Sequence, residues 1–156
     1  MAQFTGIQRG VAGTASSTQL NNGTLTVLTV GQLAMVKMIS WGGSDTSLIS
    51  YSTRWARVTN TPATPTALQI QNSGSTTVTP QATYNTYSTT PTTTASPAGL
   101  FTVDWNSQGG GGTVVLPIGG EWYVVGGALG TLFNQIGCGN VVGASANTSF
   151  QTTWAE

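Results

Sequence analysis

The stretch that decides the fold is the segment SYSTRWARV, Ser50–Val58. The odd-numbered side chains from Tyr51 to Arg57 fall on one face of an extended chain, and the even-numbered ones fall on the other. A period of two is the pattern of a β-strand whose two faces meet different surroundings. The segment therefore predicts a strand with one face in the core.

Similar short segments lie on both sides of it, separated by clusters of Gly, Pro, Asn and Ser. No window shows the 3.6-residue stripe of an amphipathic helix. Short strands in such number predict an all-β fold, a two-sheet antiparallel sandwich, with a jelly roll favoured and an immunoglobulin-like sandwich as the alternative. The predicted strands are residues 24–30, 33–41, 67–71, 100–105, 113–116, 121–125, 131–136, 139–142 and 148–154, with 75–79 as a further candidate.

The composition agrees with this fold class. The chain has 156 residues, of which 28 are Thr and 21 are Gly. The β-branched Thr side chain suits a pleated strand, and Gly suits turns and bulges. Hydrophobic residues make up 38% of the chain, which is enough for one core in one domain.

Two segments fall outside the strand pattern. Residues 1–23 are small and polar and predict an extended N-terminal arm, followed by a single sandwich domain over residues 24–156. Residues 80–98 are a Thr- and Ser-rich stretch punctuated by Pro80, Pro91 and Pro97, and they predict a long surface loop of the kind that often binds something.

Charged side chains are scarce. Four Lys and Arg residues and four Asp and Glu residues make up 5% of the chain, and His is absent. Nucleic-acid binding and polybasic membrane attachment both need a cationic face, so neither partner is expected. No apolar run approaches the roughly 20 residues of a membrane span, and the first residues lack the pattern of a signal peptide, so synthesis in a cytoplasm is expected.

The inventory for catalysis and cofactor binding is thin. The only carboxylates flanked by strand aromatics are Asp104 and Glu121. Cys138 has no His as a base and is interpreted as a small buried hydrophobic residue. The loop around Asp45 offers one carboxylate, which is too few to predict a calcium site. Gly109–Gly112 is followed by no Lys and no helix, so it is not a phosphate-binding loop. We therefore expect no catalytic site, no metal and no cofactor.

The five tryptophans have two interpretations. Trp41, Trp55, Trp105, Trp122 and Trp154 each lie within or at the end of an apolar strand. Such residues more often fill the space between sheets or anchor an interface than stack on sugars, although a sugar-stacking platform is the alternative. The sequence favours the core or interface interpretation.

Several of these segments also carry a resemblance to a known family. They are WGGS at 41–44, YSTRWAR at 51–57, TPATPTAL at 61–68, VDWN at 103–106 and the C-terminal strand that ends at Glu156. Together they resemble small β-sandwich structural proteins of tailed bacteriophages, and most closely the jelly-roll type of capsid cement (decoration) protein. The resemblance implies a homotrimer on the outer capsid surface of the virion, bound to the major capsid protein, with no catalytic residue.

The function expected from these observations is a non-enzymatic cement protein that stabilises a capsid. One alternative is a tail-fibre or head-fibre tip that binds host glycans through Trp41, Tyr84, Tyr87 and Trp105. Another is a sugar-cleaving virion enzyme that uses Asp104 and Glu121. The candidate residues for contact with the capsid or with sister subunits are Gln3, Phe4, Ile7, Arg9, Trp41, Asp45, Arg54, Arg57, Pro62, Pro65, Tyr84 and Tyr87.

Overall fold

The computed structural model describes residues 1–11, 25–57, 65–73, 77–87, 99–126, 135–142 and 148–156. Regular structure in these residues consists of β-strands alone, and they contain no helix of the length and hydrophobicity that a membrane crossing requires. The strands are β1 (Gln3–Val11), β2 (Leu25–Thr29), β3 (Leu33–Gly43), β4 (Ser50–Arg57), β5 (Pro65–Ala67), β6 (Ile70–Asn72), β7 (Thr83–Tyr87), β8 (Phe101–Asn106), β9 (Gly112–Val115), β10 (Trp122–Val125), β11 (Gln135–Val142) and β12 (Thr148–Ala155).

The strands form two antiparallel sheets. Sheet A has the order β10-β3-β12-β1-β6, with β9 paired to β3 next to β10, and sheet B has the order β5-β7-β2-β11-β4-β8. The pairing is nested along the chain: β1 pairs with β12, β2 with β11, β3 with β9 and β10, and β4 with β8. The chain therefore passes repeatedly from one sheet to the other, and the predicted all-β antiparallel fold is confirmed.

Aromatic side chains fill the space between the sheets. On β4 of sheet B, Tyr51, Thr53 and Trp55 are buried, as the period of two predicts. The Trp55 ring meets Phe150 of sheet A edge-on, with ring centroids 6.1 Å apart. Such contacts, repeated along both inner faces, give the two layers one shared core.

The prediction of an N-terminal arm is wrong over residues 3–11. These residues form β1, which lies between β12 and β6 inside sheet A. Phe4, Gly6 and Gln8 face the core, and the residues between them face outward. These inward-facing residues include one large apolar side chain, so the hydrophobic alternation along β1 is weak. The strand forms because its backbone hydrogen-bonds to a neighbouring strand on both sides. Residues 12–23 of the predicted arm lie outside the described residues.

The prediction of a surface loop over residues 80–98 is also wrong in part. Residues 83–87 form β7, which pairs with β2 on one side and β5 on the other. Thr and Tyr have high β-propensity, and a run of them pairs readily when a sheet offers a partner. Residues 88–98 lie outside the described part of the chain.

Candidate interaction surface

Two of the predicted contact residues lie in the core. Phe4 is 0% exposed and Tyr84 is 2% exposed, so neither offers a surface to a partner, and both predictions are wrong. Phe4 lies on β1, which is predicted as an arm, and Tyr84 lies on β7, which is predicted as a loop. Pro62 lies outside the described residues, while Pro65 begins β5 and Tyr87 ends β7.

Three other candidates come together in one groove. Ile7, Arg9 and Trp41 line a groove of about 470 Å³ with Ser40 and Gln151. Arg9 is exposed on the outer side of β1, and the other residues that line the groove are uncharged. The structure thus joins residues from β1, β3 and β12 that are far apart in the sequence.

The remaining candidates are dispersed. Gln3 is exposed on β1, and Arg54 is half-buried on β4. The Asp45 carboxylate accepts a hydrogen bond from the Tyr51 hydroxyl. Arg57 donates through Nη1 to the main-chain carbonyl of Tyr123, which links β4 of sheet B to β10 of sheet A.

Of the aromatic residues proposed for sugar stacking, Tyr84 and Trp105 are buried and Trp41 is half-buried. Trp105 is 8% exposed and stacks on Tyr51, with ring centroids 4.6 Å apart. Its indole nitrogen donates to Thr53 Oγ1 at 2.8 Å. Trp41 is half-buried against Trp55. The core interpretation is confirmed for Trp55, Trp105 and Trp154.

The two carboxylates considered for catalysis are held in different settings. Asp104 is exposed on β8 of sheet B. Glu121 precedes β10 of sheet A and accepts a hydrogen bond from Lys37 Nζ at 2.6 Å. Within the described ranges, no group of three or more Asp, Glu, His or Cys residues is placed to hold a metal ion. Burial raises the pKa of the Cys138 thiol, which disfavours the thiolate.

The most distinctive surface was not predicted from the sequence. Along the border of sheet A, five exposed side chains form what we call the apolar edge: Leu33, Val115, Ile118, Tyr123 and Val125. Val125 pairs directly with Leu33, and Tyr123 and Val115 lie opposite Met35 and Met38 of the same strand. Paired residues share a face of the sheet, so the β-strand members of this set point outward together.

Hydrogen bonds within the chain hold the turn that carries Ile118. The N–H of Gly120 donates to the carbonyl of Pro117 at 2.9 Å, and Gly119 has a φ of 85°. A hydrogen-bonded turn with a left-handed third residue is a type II turn, which favours Gly at that position. Ile118, the second residue of the turn, is 100% exposed at its tip.

Glu121 ties this turn to the sheet. Its Oε2 accepts from the N–H of Gly119 at 2.6 Å, and its Oε1 accepts from Lys37 Nζ at 2.6 Å. Lys37 is the extra residue of a β-bulge, because β12 pairs Trp154 with Val36 and Thr153 with Met38. The hydrogen bond from Lys37, reinforced by backbone N–H donors, lowers the pKa of the Glu121 carboxyl.

A concave surface adjoins the apolar edge. We call it the hollow; it has a volume of about 320 Å³ and is lined mainly by apolar residues, among them Met1, Val30, Leu33, Met35, Val78 and Ala155. Leu33 belongs to both features, so the hollow and the apolar edge are continuous. Of the eight large hydrophobic side chains that are exposed in the described residues, seven lie on one or the other, and Leu48 is the exception.

One local signal in the sequence points to this surface. In Pro117-Ile118-Gly119-Gly120, a large apolar residue stands between Pro and Gly, where a turn is expected. A turn tip is usually solvent-exposed, so an aliphatic residue there needs an explanation. The rest of the surface depends on which strands border sheet A.

Comparison of the chain with family models, with curated proteins and with solved structures found no match.

Proposed function

We propose that this protein is a non-enzymatic structural component of a virion, which binds the outside of the major capsid shell and stabilises it as a cement protein. The observation that carries the proposal is the concentration of exposed apolar side chains on the apolar edge and the hollow. Contiguous exposed apolar surface marks an interaction site on a soluble protein. A protein whose surface is covered by neighbours also needs few charges for solubility.

The nested strand pairing supports a jelly-roll topology for this proposal. In sheet A the order β1-β12-β3-β9/β10, and in sheet B the order β2-β11-β4-β8, join the first strand to the last and each inner strand to its counterpart. With β9 and β10 counted as one strand, this pairing agrees with the eight-stranded jelly roll that we propose, a fold found in viral capsid proteins and in lectins. β5, β6 and β7 extend the two sheets at the opposite borders.

The small number of charged side chains supports the same role. Binding through apolar surface and neutral hydrogen bonds is barely screened by salt, unlike binding through exposed ion pairs. Many equivalent copies on one shell would add their weak contacts through multivalency. A trimer, which the family resemblance implies, places three such surfaces on one capsid site.

The test is a count of copies on the particle. We expect mass spectrometry of purified virions to find the protein in a number comparable to that of the capsid subunits, and electron cryomicroscopy to place it on the outer shell. Particles that lack the protein should release DNA at lower temperature than complete ones, and adding purified protein should restore the difference at low and high salt. A few copies confined to the tail would overturn the proposal.

The second candidate is a glycan-binding tip of a fibre. The groove lined by Ile7, Arg9 and Trp41 favours it, because a concave polar site beside an aromatic ring suits a sugar. Burial of Tyr84 and Trp105 weighs against it. A glycan array with the isolated protein separates the two: specific binding that Trp41→Ala removes would support the fibre, whereas no binding supports the cement protein.

A further inference from the structure

We propose that Ile118 of one copy inserts into the hollow of a second copy of this chain. This contact deepens the proposed function, on which the choice of a closed oligomer rests. It assigns Ile118 and the hollow to the contact between copies, and it leaves Val115, Tyr123 and Val125 of the apolar edge for the capsid.

Ile118 has the properties of an anchor residue. Its side chain is 100% exposed, while the turn beneath it is held by the hydrogen bonds of Gly120 to Pro117 and of Gly119 to Glu121. An apolar side chain on a rigid support loses little conformational freedom on binding, so more of its burial appears as affinity. Interfaces draw most of their energy from a few such residues that fill pockets.

The hollow is large and apolar enough to accept the Ile118 side chain of another copy. Its volume of about 320 Å³ exceeds the roughly 150 Å³ of an apolar cavity that already accommodates benzene, so an isoleucine side chain fits. Leu33 and Val78, on its walls, are 45% and 46% exposed and would lose that exposure in the contact. Burial on both partners provides the driving force.

The charged side chains beside both surfaces have hydrogen-bond partners within the chain. Beside the anchor, Lys37 is paired with Glu121. On the rim of the hollow, the Glu156 side chain accepts hydrogen bonds from Trp154 Nε1 at 2.8 Å and from the N–H groups of Ala82 and Gln81 at 2.9 Å and 2.7 Å. These charged side chains therefore have partners within the same chain, so an apolar occupant leaves none of them without its hydrogen bonds.

A second copy is the occupant that the chain itself supplies. The anchor and the hollow lie at the two ends of the apolar edge: the turn that carries Ile118 leads into β10, and Val125 at the far end of β10 pairs with Leu33 on the wall of the hollow. Each copy has one of each, so a closed ring leaves none of them open. A ring of three agrees with the trimer of the proposed function.

The first experiment measures self-association. Light scattering after size exclusion should give the mass of a closed oligomer for the natural chain. Ile118→Asp should raise the concentration at half-assembly by at least about tenfold, because an anchor of this size contributes more than the 1.4 kcal/mol that corresponds to that factor. Leu48→Asp is the matched control: Leu48 is 67% exposed and belongs to neither surface, so assembly should not change.

The second experiment tests the contact directly. An Ile118→Cys chain is mixed with a Val78→Cys chain under mild oxidation, and the mixed disulfide should form faster than in a mixture of Leu48→Cys and Val78→Cys chains. Cys138 is 1% exposed and does not compete. All three positions are at the surface, and thermal denaturation checks that each variant is folded.

Three outcomes would overturn the inference: a natural chain that stays monomeric at all concentrations, an Ile118→Asp chain that assembles like the natural one, or cross-linking no faster than in the Leu48 control. If Ile118→Asp weakens attachment to capsids or to neutral lipid vesicles with assembly unchanged, Ile118 faces that partner instead. A virion with only a few tail-bound copies would refute the cement role while leaving the contact between copies intact.

Discussion

Tyr84 of sheet B stacks on Trp154 of sheet A, with ring centroids 5.9 Å apart and ring planes inclined by 21°. Trp154 in turn lies 6.0 Å from the ring of Phe4. These rings come from β7, β12 and β1, so one aromatic cluster joins the N-terminal strand, the C-terminal strand and a segment expected to be a loop. The cluster explains why β1 and β7 belong to the sandwich.

The stack leaves no room for a side chain at Gly6. A Cβ added there would overlap the aromatic ring of Tyr84. We expect Gly6→Ala to destabilise the fold by about 1–3 kcal/mol, since overpacking forces the ring or the strand to move. Urea denaturation measures this free energy of unfolding.

Gly31→Ala is the control for this substitution, because a Cβ at Gly31 meets nothing within 4 Å. Its effect should stay within about 0.5 kcal/mol. Equal stabilities of the two variants would show that Tyr84 does not press on β1.

A buried threonine connects three strands through its hydroxyl. Thr53 is 0% exposed; its Oγ1 accepts from Trp105 Nε1 at 2.8 Å and donates to Asn140 Oδ1 at 2.7 Å. Thr53→Val keeps the shape but leaves both partners without their hydrogen bond. We expect a loss of about 2 kcal/mol in unfolding free energy, because unsatisfied buried polar groups retain their full desolvation cost.

The exposed Thr102 on β8 provides the comparison for Thr53, since Thr102→Val removes a hydroxyl that already faces solvent. Chemical denaturation of both variants should show a clear loss for Thr53→Val only. A neutral Thr53→Val variant would mean that the network contributes nothing to stability.

The hydrogen bonds that the Glu121 carboxylate accepts beneath the Ile118 turn should be lost in acid. The hydrogen bond from Lys37, followed by those from backbone N–H groups, lowers the pKa of the Glu121 carboxyl in the folded chain below its ordinary value. The folded carboxyl therefore binds a proton less readily than the unfolded one. Its stabilising contribution is fully present above the unfolded pKa and disappears as the pH falls through the lowered folded value.

Thermal denaturation from pH 6 downward checks this prediction. The difference in stability between the natural chain and Glu121→Gln should stay constant above about pH 5 and shrink below the ordinary carboxyl range. Lys37→Gln should remove most of the same pH-dependent component. A difference that is independent of pH would contradict the role of Glu121 as an ionised hydrogen-bond acceptor.

The strand predictions that succeeded are local. In Ser50–Arg57 the alternation of side chains fits only an extended chain with one face buried, and β4 has that burial pattern. β1 was missed because its inward residues include Gln8, which is 0% exposed and donates to Thr86 Oγ1 at 3.1 Å. A polar pair that bridges the two sheets gives no hydrophobic period, although it satisfies both side chains in part.

The sequence by itself determined the strand-forming character of the chain, its turns and its poverty in charge, because these depend on neighbouring residues and on composition. Tertiary structure alone decided which strands border sheet A and which outward side chains meet on the apolar edge and in the hollow. Those features depend on pairing between residues far apart in the chain, such as Leu33 and Val125, and no local pattern encodes that pairing.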